Sequence, residues 1–271
     1  MVNPLPDARF AGSIPDLYDS LLVPMIFAPY AADIARRVAA LRPTRVLETA
    51  AGTGAVTRAL ARTLPGSATL VATDLNPPML KRAQLSDINR PVQWQQADAQ
   101  QLPFDDGWFD VVVCQFGAMF FPDKPRAFSE ARRVLRPGGT LLFNVWDRLE
   151  ANDFVACIEA RLAELLPDDP PRFMSRTPHG YFDPAAIARD LAAGGFDSAP
   201  QIDTLAETSR AGSPQAAAMA YCQGTPLRGE LEARGADLTR TTLACAAALA
   251  QRFGDGAIEG RIQAHVVTVQ R

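Results

Sequence analysis

Three carboxylates stand at the ends of expected strands: Glu48 after Val46-Leu47, Asp74 after Val71-Ala72-Thr73, and Asp98 after Gln96-Ala97. An ionised carboxylate can accept two hydrogen bonds at once, so Asp74 has the chemistry to hold the cis hydroxyls of a ribose. Asp98 could accept from an adenine amino group while the Ala99 amide donates to the ring. Between the first two acids, small residues run from Thr49 to Ala55, with glycines at 52 and 54 that let backbone approach a ligand where a Cβ would intrude. Plainer readings stand beside these. Asp74, just before Asn76-Pro77, could serve only as a helix N-terminal acid, Asp98 as a solvated loop acid, and the glycine-rich turn as a purely structural connection.

These residues need strands to hold them and helices to follow them. Arg45–Glu48 reads as a buried strand, and Val56, Leu60 and Leu64 recur at helical spacing after the turn. A helix N-terminus placed there offers unpaired N–H groups to an anionic ligand. The alternation continues with strand Thr69–Thr73, helix Pro77–Gln84, strand Val92–Gln96, strand Phe109–Cys114, helix Lys124–Leu135 and strand Thr140–Trp146. Strands alternating with helices imply a Rossmann-like, doubly wound α/β sheet. Strands at Gln201–Ser209 and Gly260–Gln270 would complete it, the last one antiparallel. A single domain is expected, with an N-terminal helical cap at 14–42, a core at 44–147, an inserted helical lid at 148–182 and a C-terminal completion of the sheet at 183–271. Residues 1–13 read as a loosely held arm. Ile14–Tyr30, interrupted by three prolines, reads as a short helix, a turn and an extended piece.

Composition bounds the function classes. The 271 residues are 48% apolar and 21% charged, the make-up of an ordinary globular protein. A formal net charge of −3 argues against a nucleic-acid surface, and no apolar run approaches membrane-spanning length. With no basic-then-apolar leader at Met1–Phe10, a cytoplasmic protein is expected, as a monomer or homodimer. Cysteines 114, 157, 222 and 245 lie far apart and read as reduced core residues, and no metal site is expected from two distant histidines.

Five segments in order, V-L-E-T-A-A-G-T-G, A-T-D-L-N-P-P-M-L, A-D-A-Q-Q-L-P-F, F-D-V-V-V-C-Q-F and L-R-P-G-G-T, resemble the class I S-adenosylmethionine-dependent methyltransferases. The similarity is greatest to the type 11 small-molecule group, which includes ubiquinone and menaquinone C-methyltransferases. It covers residues 44–147 densely and the flanks loosely. The resemblance implies S-adenosyl-L-methionine as cofactor, S-adenosyl-L-homocysteine as product and a small-molecule acceptor. It implies that Glu48 faces the methionine amino group and that Gly52 and Gly54 line the methionine and ribose portion. Asp74 then holds the ribose, Leu75 and Met79 flank the adenine, Asp98 and Ala99 read its edge, and Gln115 closes the methionine half. Tyr18 would contact the carboxylate from the N-terminal element. The chain departs from the family pattern twice: Ala50 occupies the place of the first glycine, and Glu48 that of the commoner aspartate. Gln115 also reads as a plain polar strand terminus.

The aromatic groups near the expected crevice favour an apolar or aromatic acceptor, with Phe27, Phe120, Trp146 and Tyr181 as wall residues alongside Tyr30, Phe116 and Phe121. The sulfonium is already activated, so alignment for in-line displacement is the main task and no catalytic residue is assigned. His179 is the one candidate for proton transfer, although a structural role is favoured for it, as for His265. Two other functions compete: a cofactor-binding protein of this fold without methyl transfer, and an NAD-dependent oxidoreductase. The second lacks the G-x-G-x-x-G pattern, since Thr57 stands where the third glycine belongs.

Overall fold

A computed structural model describes residues 6–271. Its seven strands form one sheet in the order β3-β2-β1-β4-β5-β7-β6. They are β1 (Arg45–Glu48), β2 (Thr69–Asp74), β3 (Gln93–Gln96), β4 (Phe109–Gln115), β5 (Leu135–Trp146), β6 (Gln201–Ala211) and β7 (Ile258–Gln270). β1 to β5 run parallel, and β7 is antiparallel to both β5 and β6. The Rossmann-like α/β expectation therefore describes the molecule. Order reverses at β1, whose neighbours are β2 on one side and β4 on the other, and a sheet of this kind opens its ligand crevice at the carboxyl ends there.

Two apolar cores cover the two faces. Helix Ala55–Thr63 and helix Ala28–Ala40 enclose one with Ile34, Val38, Val56 and Leu60; the larger lies on the opposite face and includes Phe128, Phe143, Phe154 and Leu249. Burying a side chain of this size contributes about 1.5–3 kcal/mol, so each core outweighs any single polar contact at the site.

Four expectations are corrected. Ile14–Ala40 is one uninterrupted helical run, with a π-helical stretch over Tyr18–Phe27 between α-helices Ile14–Leu17 and Ala28–Ala40. Widening the register to i−5, as in the Ala28 N–H bond to the Val23 carbonyl, accommodates Pro24, which has no N–H to donate. Of the N-terminal arm, residues 1–5 lie outside the described residues, but Pro6–Ser13 is tied down: Phe10 N donates to Asn76 Oδ1 at 3.2 Å, and Asp7 pairs with Arg176 at 2.7 Å. β5 begins earlier than Thr140, pairing Leu135 with Phe109 before the register shifts through the Pro-Gly-Gly turn. An additional helix, Leu227–Ala233, forms where Gly229 obscured the periodicity.

The segment 148–182 carries helix Asp153–Leu165 and a short turn Phe173–Arg176. Among the described residues no helix is long and apolar enough to cross a membrane, and no His, Cys, Asp and Glu side chains cluster as a metal site.

Candidate active site

The turn after β1 is held open by left-handed backbone. Ala50, Gly52 and Gly54 have φ of 51°, 57° and 84°. Glycine adopts such angles freely, whereas alanine at 50 does so at a steric cost. The turn is pinned on both sides, by the Ala51 amide to the Thr73 carbonyl and the Thr49 amide to the Val113 carbonyl, both at 2.9 Å.

A crevice of about 340 Å³ opens at this point. Among the residues around it are Tyr18, Ala50, Gly52, Asp74, Leu75, Met79, Asp98, Ala99 and Gln115. The fold thus brings nine of the eleven candidate cofactor residues around one space, although they come from five separate parts of the chain. Glu48 and Gly54 lie behind it. Gly54 is the N-cap of helix Ala55–Thr63, and a Cβ there would sit 3.2 Å from Ala83 Cβ and 3.3 Å from Trp94. Its part in the fold is to let two helices meet.

Each carboxylate has its own environment. Asp74 accepts the Gly52 amide on Oδ2 and the Asn76 amide on Oδ1, both at 2.8 Å. Burial pushes its pKa up, against which these backbone bonds act. A carboxylate oxygen accepts more than one hydrogen bond, so both oxygens keep capacity. Glu48 is only 1% exposed, and burial pushes it up to about 8, with the Thr57 hydroxyl, donating to Oε2 at 2.5 Å, opposing the shift. Asp98 accepts from the Gln100 amide at 2.9 Å, folding its loop as an Asx turn at the crevice rim. Gln115 donates weakly to the Phe27 carbonyl at 3.4 Å, and its buried Oε1 has no partner among the described residues.

A second, smaller pocket of about 60 Å³ adjoins the crevice through Phe10, Tyr18, Phe116 and Phe120. Phe27, Trp146 and His179 also face it, with Phe116 stacked on Trp146 at 3.9 Å between ring centroids. Tyr181 does not line it; its hydroxyl donates to Asp190 at 2.8 Å and Lys124 lies over its ring. Tyr30 is likewise a core residue, donating to the Leu205 carbonyl at 3.1 Å. His265 is held structurally, between Thr204 at 3.0 Å and Asp147 at 3.4 Å.

Sequence reading missed several participants. Phe10 and Asn76 reach the crevice because the arm folds onto the β2 end, a contact 66 residues apart. Thr57, noted only as a missing glycine, is the partner of Glu48 nine residues earlier. Asn144 accepts the Phe116 amide at 3.0 Å, steadying a residue whose φ is 52°.

A family model described as a methyltransferase domain matches residues 47–143, the stretch from β1 through β5 that builds this crevice. Residues 47–143 are similar to the methyltransferase domain family. Over 104 residues the chain is 43% identical to an uncharacterized protein of Mycobacterium tuberculosis, covering 38% of this chain and 37% of that one. Over 105 residues it is 42% identical to the ubiquinone/menaquinone biosynthesis C-methyltransferase of Idiomarina loihiensis, covering 37% of this chain and 42% of the relative. The match thus spans less than half of either relative's length and coincides with the methyltransferase domain. Among solved structures, a putative methyltransferase of Bacillus halodurans superposes with a TM-score of 0.54 at 21% identity, over 88% of this chain and 97% of that one. The cyclase SpnF does so with a TM-score of 0.56 at 17% identity, over 100% and 98%. At those identities the structural likeness speaks for the fold of the methyltransferase domain and its flanks.

Proposed function

We propose that the protein transfers the methyl group of S-adenosylmethionine to a small, apolar or aromatic acceptor. The observation that carries this reading is the adjacency of two unlike spaces. The crevice has a carboxylate, Asp74, at the end of β2, and it shares Tyr18, Phe116 and Phe120 as wall residues with an uncharged aromatic pocket. The donor group fits the residues present. Asp74 keeps acceptor capacity for ribose hydroxyls, Leu75 and Met79 offer apolar contacts for a flat base, and Gln115 Oε1 lacks a partner that an ammonium would supply. Asp98 and Ala99 sit at the same end as Leu75 and would meet the adenine edge. Glu48, behind Ala50 and bonded to Thr57, would add negative charge toward the methionine amino group.

When bound, that group supplies an activated methyl on a sulfonium. The chain contributes position. Tyr18, stacked on Phe27 at 4.9 Å, and Phe116, stacked on Trp146, form a rigid aromatic wall where the two spaces meet. Orientation of this kind lowers a bimolecular barrier by about 7–11 kcal/mol in favourable cases, without a covalent catalyst. The single-domain organisation, with 148–182 as an insertion over the acceptor side, belongs to the same proposal.

A second reading has support in one comparison: the cyclase SpnF, named for another reaction, has the same fold. A binding protein or an enzyme of different chemistry on this scaffold would bind the donor without consuming it. Incubation with methyl-labelled S-adenosylmethionine and a panel of phenols, quinones and amines separates the readings. Labelled product supports methyl transfer, and donor binding with no labelled product from any acceptor overturns it.

A further inference from the structure

The aromatic pocket has a restricted set of polar groups. Among the described residues no Lys, Arg, Asp or Glu lines it. Asn152 is engaged with the Gln263 amide and the Arg148 carbonyl, and Thr225 with the Tyr221 carbonyl and the Leu227 amide. The hydroxyls of Tyr18 and Tyr221 and one ring nitrogen of His179 are left without a hydrogen bond among the described residues. A charged acceptor would find no counter-charge here, and burying an unpaired ion is strongly unfavourable.

The ring of His179 is fixed in one chemical state. Its Nδ1 lies 2.8 Å from the main-chain carbonyl of Asp147, which can only accept, so Nδ1 carries the proton. In the neutral ring Nε2 then has a free lone pair. The side chain is 5% exposed and lines the pocket beside Trp146, at 5.9 Å between ring centroids. Burial pushes its pKa down to about 4, opposed by the Asp147 carbonyl bond, so the ring is neutral at physiological pH. The carboxylates of Glu150 and Asp147 lie near enough to favour a positive charge on it.

We propose that His179 Nε2 takes the proton of the acceptor, and that the acceptor is a neutral, mostly apolar molecule with a hydroxyl group. This rests on the methyl-transfer reading above. The acceptor oxygen gains the methyl group as the carbon–sulfur bond of the sulfonium donor breaks, with the bonding pair remaining on sulfur. The hydroxyl proton passes to Nε2 and later to water. The pocket's free space of about 60 Å³ is smaller than an aromatic ring needs, so seating the acceptor requires side chains of the wall, such as the flexible Met174, to turn aside.

The chain has only two histidines, so nitrogen-15 spectra of histidine-labelled protein report on His179 directly, with His179→Gln and His265→Gln providing assignments. At neutral pH the His179 Nε2 signal is expected in the unprotonated range. With S-adenosylhomocysteine present it should shift toward the hydrogen-bonded position on adding 2-naphthol, but not naphthalene. A proton on Nε2, an equal response to naphthalene, or no response up to the solubility limit of 2-naphthol would overturn the proposal. Heats of S-adenosylhomocysteine binding on the same sample keep this separate from failure of the functional reading. In turnover, His179→Gln should slow methylation of 2-naphthol by about 10²–10⁴-fold while leaving S-adenosylhomocysteine affinity within about threefold. A loss in 2-naphthol turnover of less than about tenfold would overturn the proton-accepting role.

Discussion

The Gly52 amide donates to Asp74 Oδ2 at 2.8 Å, joining the turn after β1 to the carboxyl end of β2. This bond fixes the distance between the two walls of the crevice before any ligand enters. It also keeps a largely desolvated carboxylate paired, since Asp74 is 7% exposed. Asp74 therefore has both a positioning role for the turn and unused acceptor capacity toward the crevice.

Replacing Asp74 tests both roles. Asp74→Ala is expected to weaken S-adenosylhomocysteine binding by about 2–3 kcal/mol, roughly 30–150-fold, because hydrogen bonds to a charged acceptor in a partly buried site are lost. Asp74→Asn retains one acceptor oxygen and should lie between wild type and alanine. Titration calorimetry on the three proteins checks the order; equal affinities would contradict the assignment of Asp74 to the ribose.

Glu48 predicts a pH dependence. Its pKa in the folded protein, raised to about 8 by burial, exceeds that of an unfolded glutamate. Between pH ~4.5 and ~8 the folded state therefore binds a proton that the unfolded state does not, and stability falls as pH rises through that window. The Glu48→Gln variant should flatten the fall, by an amount on the order of a few kcal/mol. Denaturant midpoints measured from pH 5 to 8.5 check this. If Glu48 faces the cofactor ammonium, cofactor binding near pH 7 should also release a proton, seen as a binding heat that depends on the buffer.

Ala50 and Gly117 pack closely enough to suit a mutant cycle. Ala50 has φ of 51°, and a Cβ at 117 would come within 2.4 Å of Ala50 Cβ and 2.7 Å of Cys114 Sγ. Ala50→Gly should stabilise the fold by up to about 1 kcal/mol, the left-handed penalty of alanine exceeding the added freedom of glycine. Gly117→Ala should destabilise by about 1–3 kcal/mol, as overpacking does, and the double variant should recover only part of it because the Cys114 contact persists. Thermal or denaturant unfolding of all four proteins measures the coupling; simple additivity would contradict a direct contact.

The strands and the site acids were legible because they are local. Apolar runs ending in Glu48 and Asp74 mark strand ends, and a parallel sheet requires its crevice to follow those ends. The Ile14–Ala40 helix was not legible, because proline rules describe the α register and the chain here adopts a π register around Pro24. Partners distant in sequence were equally hidden. No spacing rule places Asp7 on Arg176, Phe10 on Asn76, or the Asp147 carbonyl on His179. Tyr181 shows the converse error, since an aromatic at an expected lid position found a better partner in Asp190.

The most direct test of the account is calorimetric titration of the purified protein with S-adenosylhomocysteine, with NADH as the control ligand. S-adenosylhomocysteine is expected to bind in the micromolar range, roughly 30–150-fold more weakly to Asp74→Ala, and NADH not at all. Binding of neither ligand, or of NADH in preference, would contradict it.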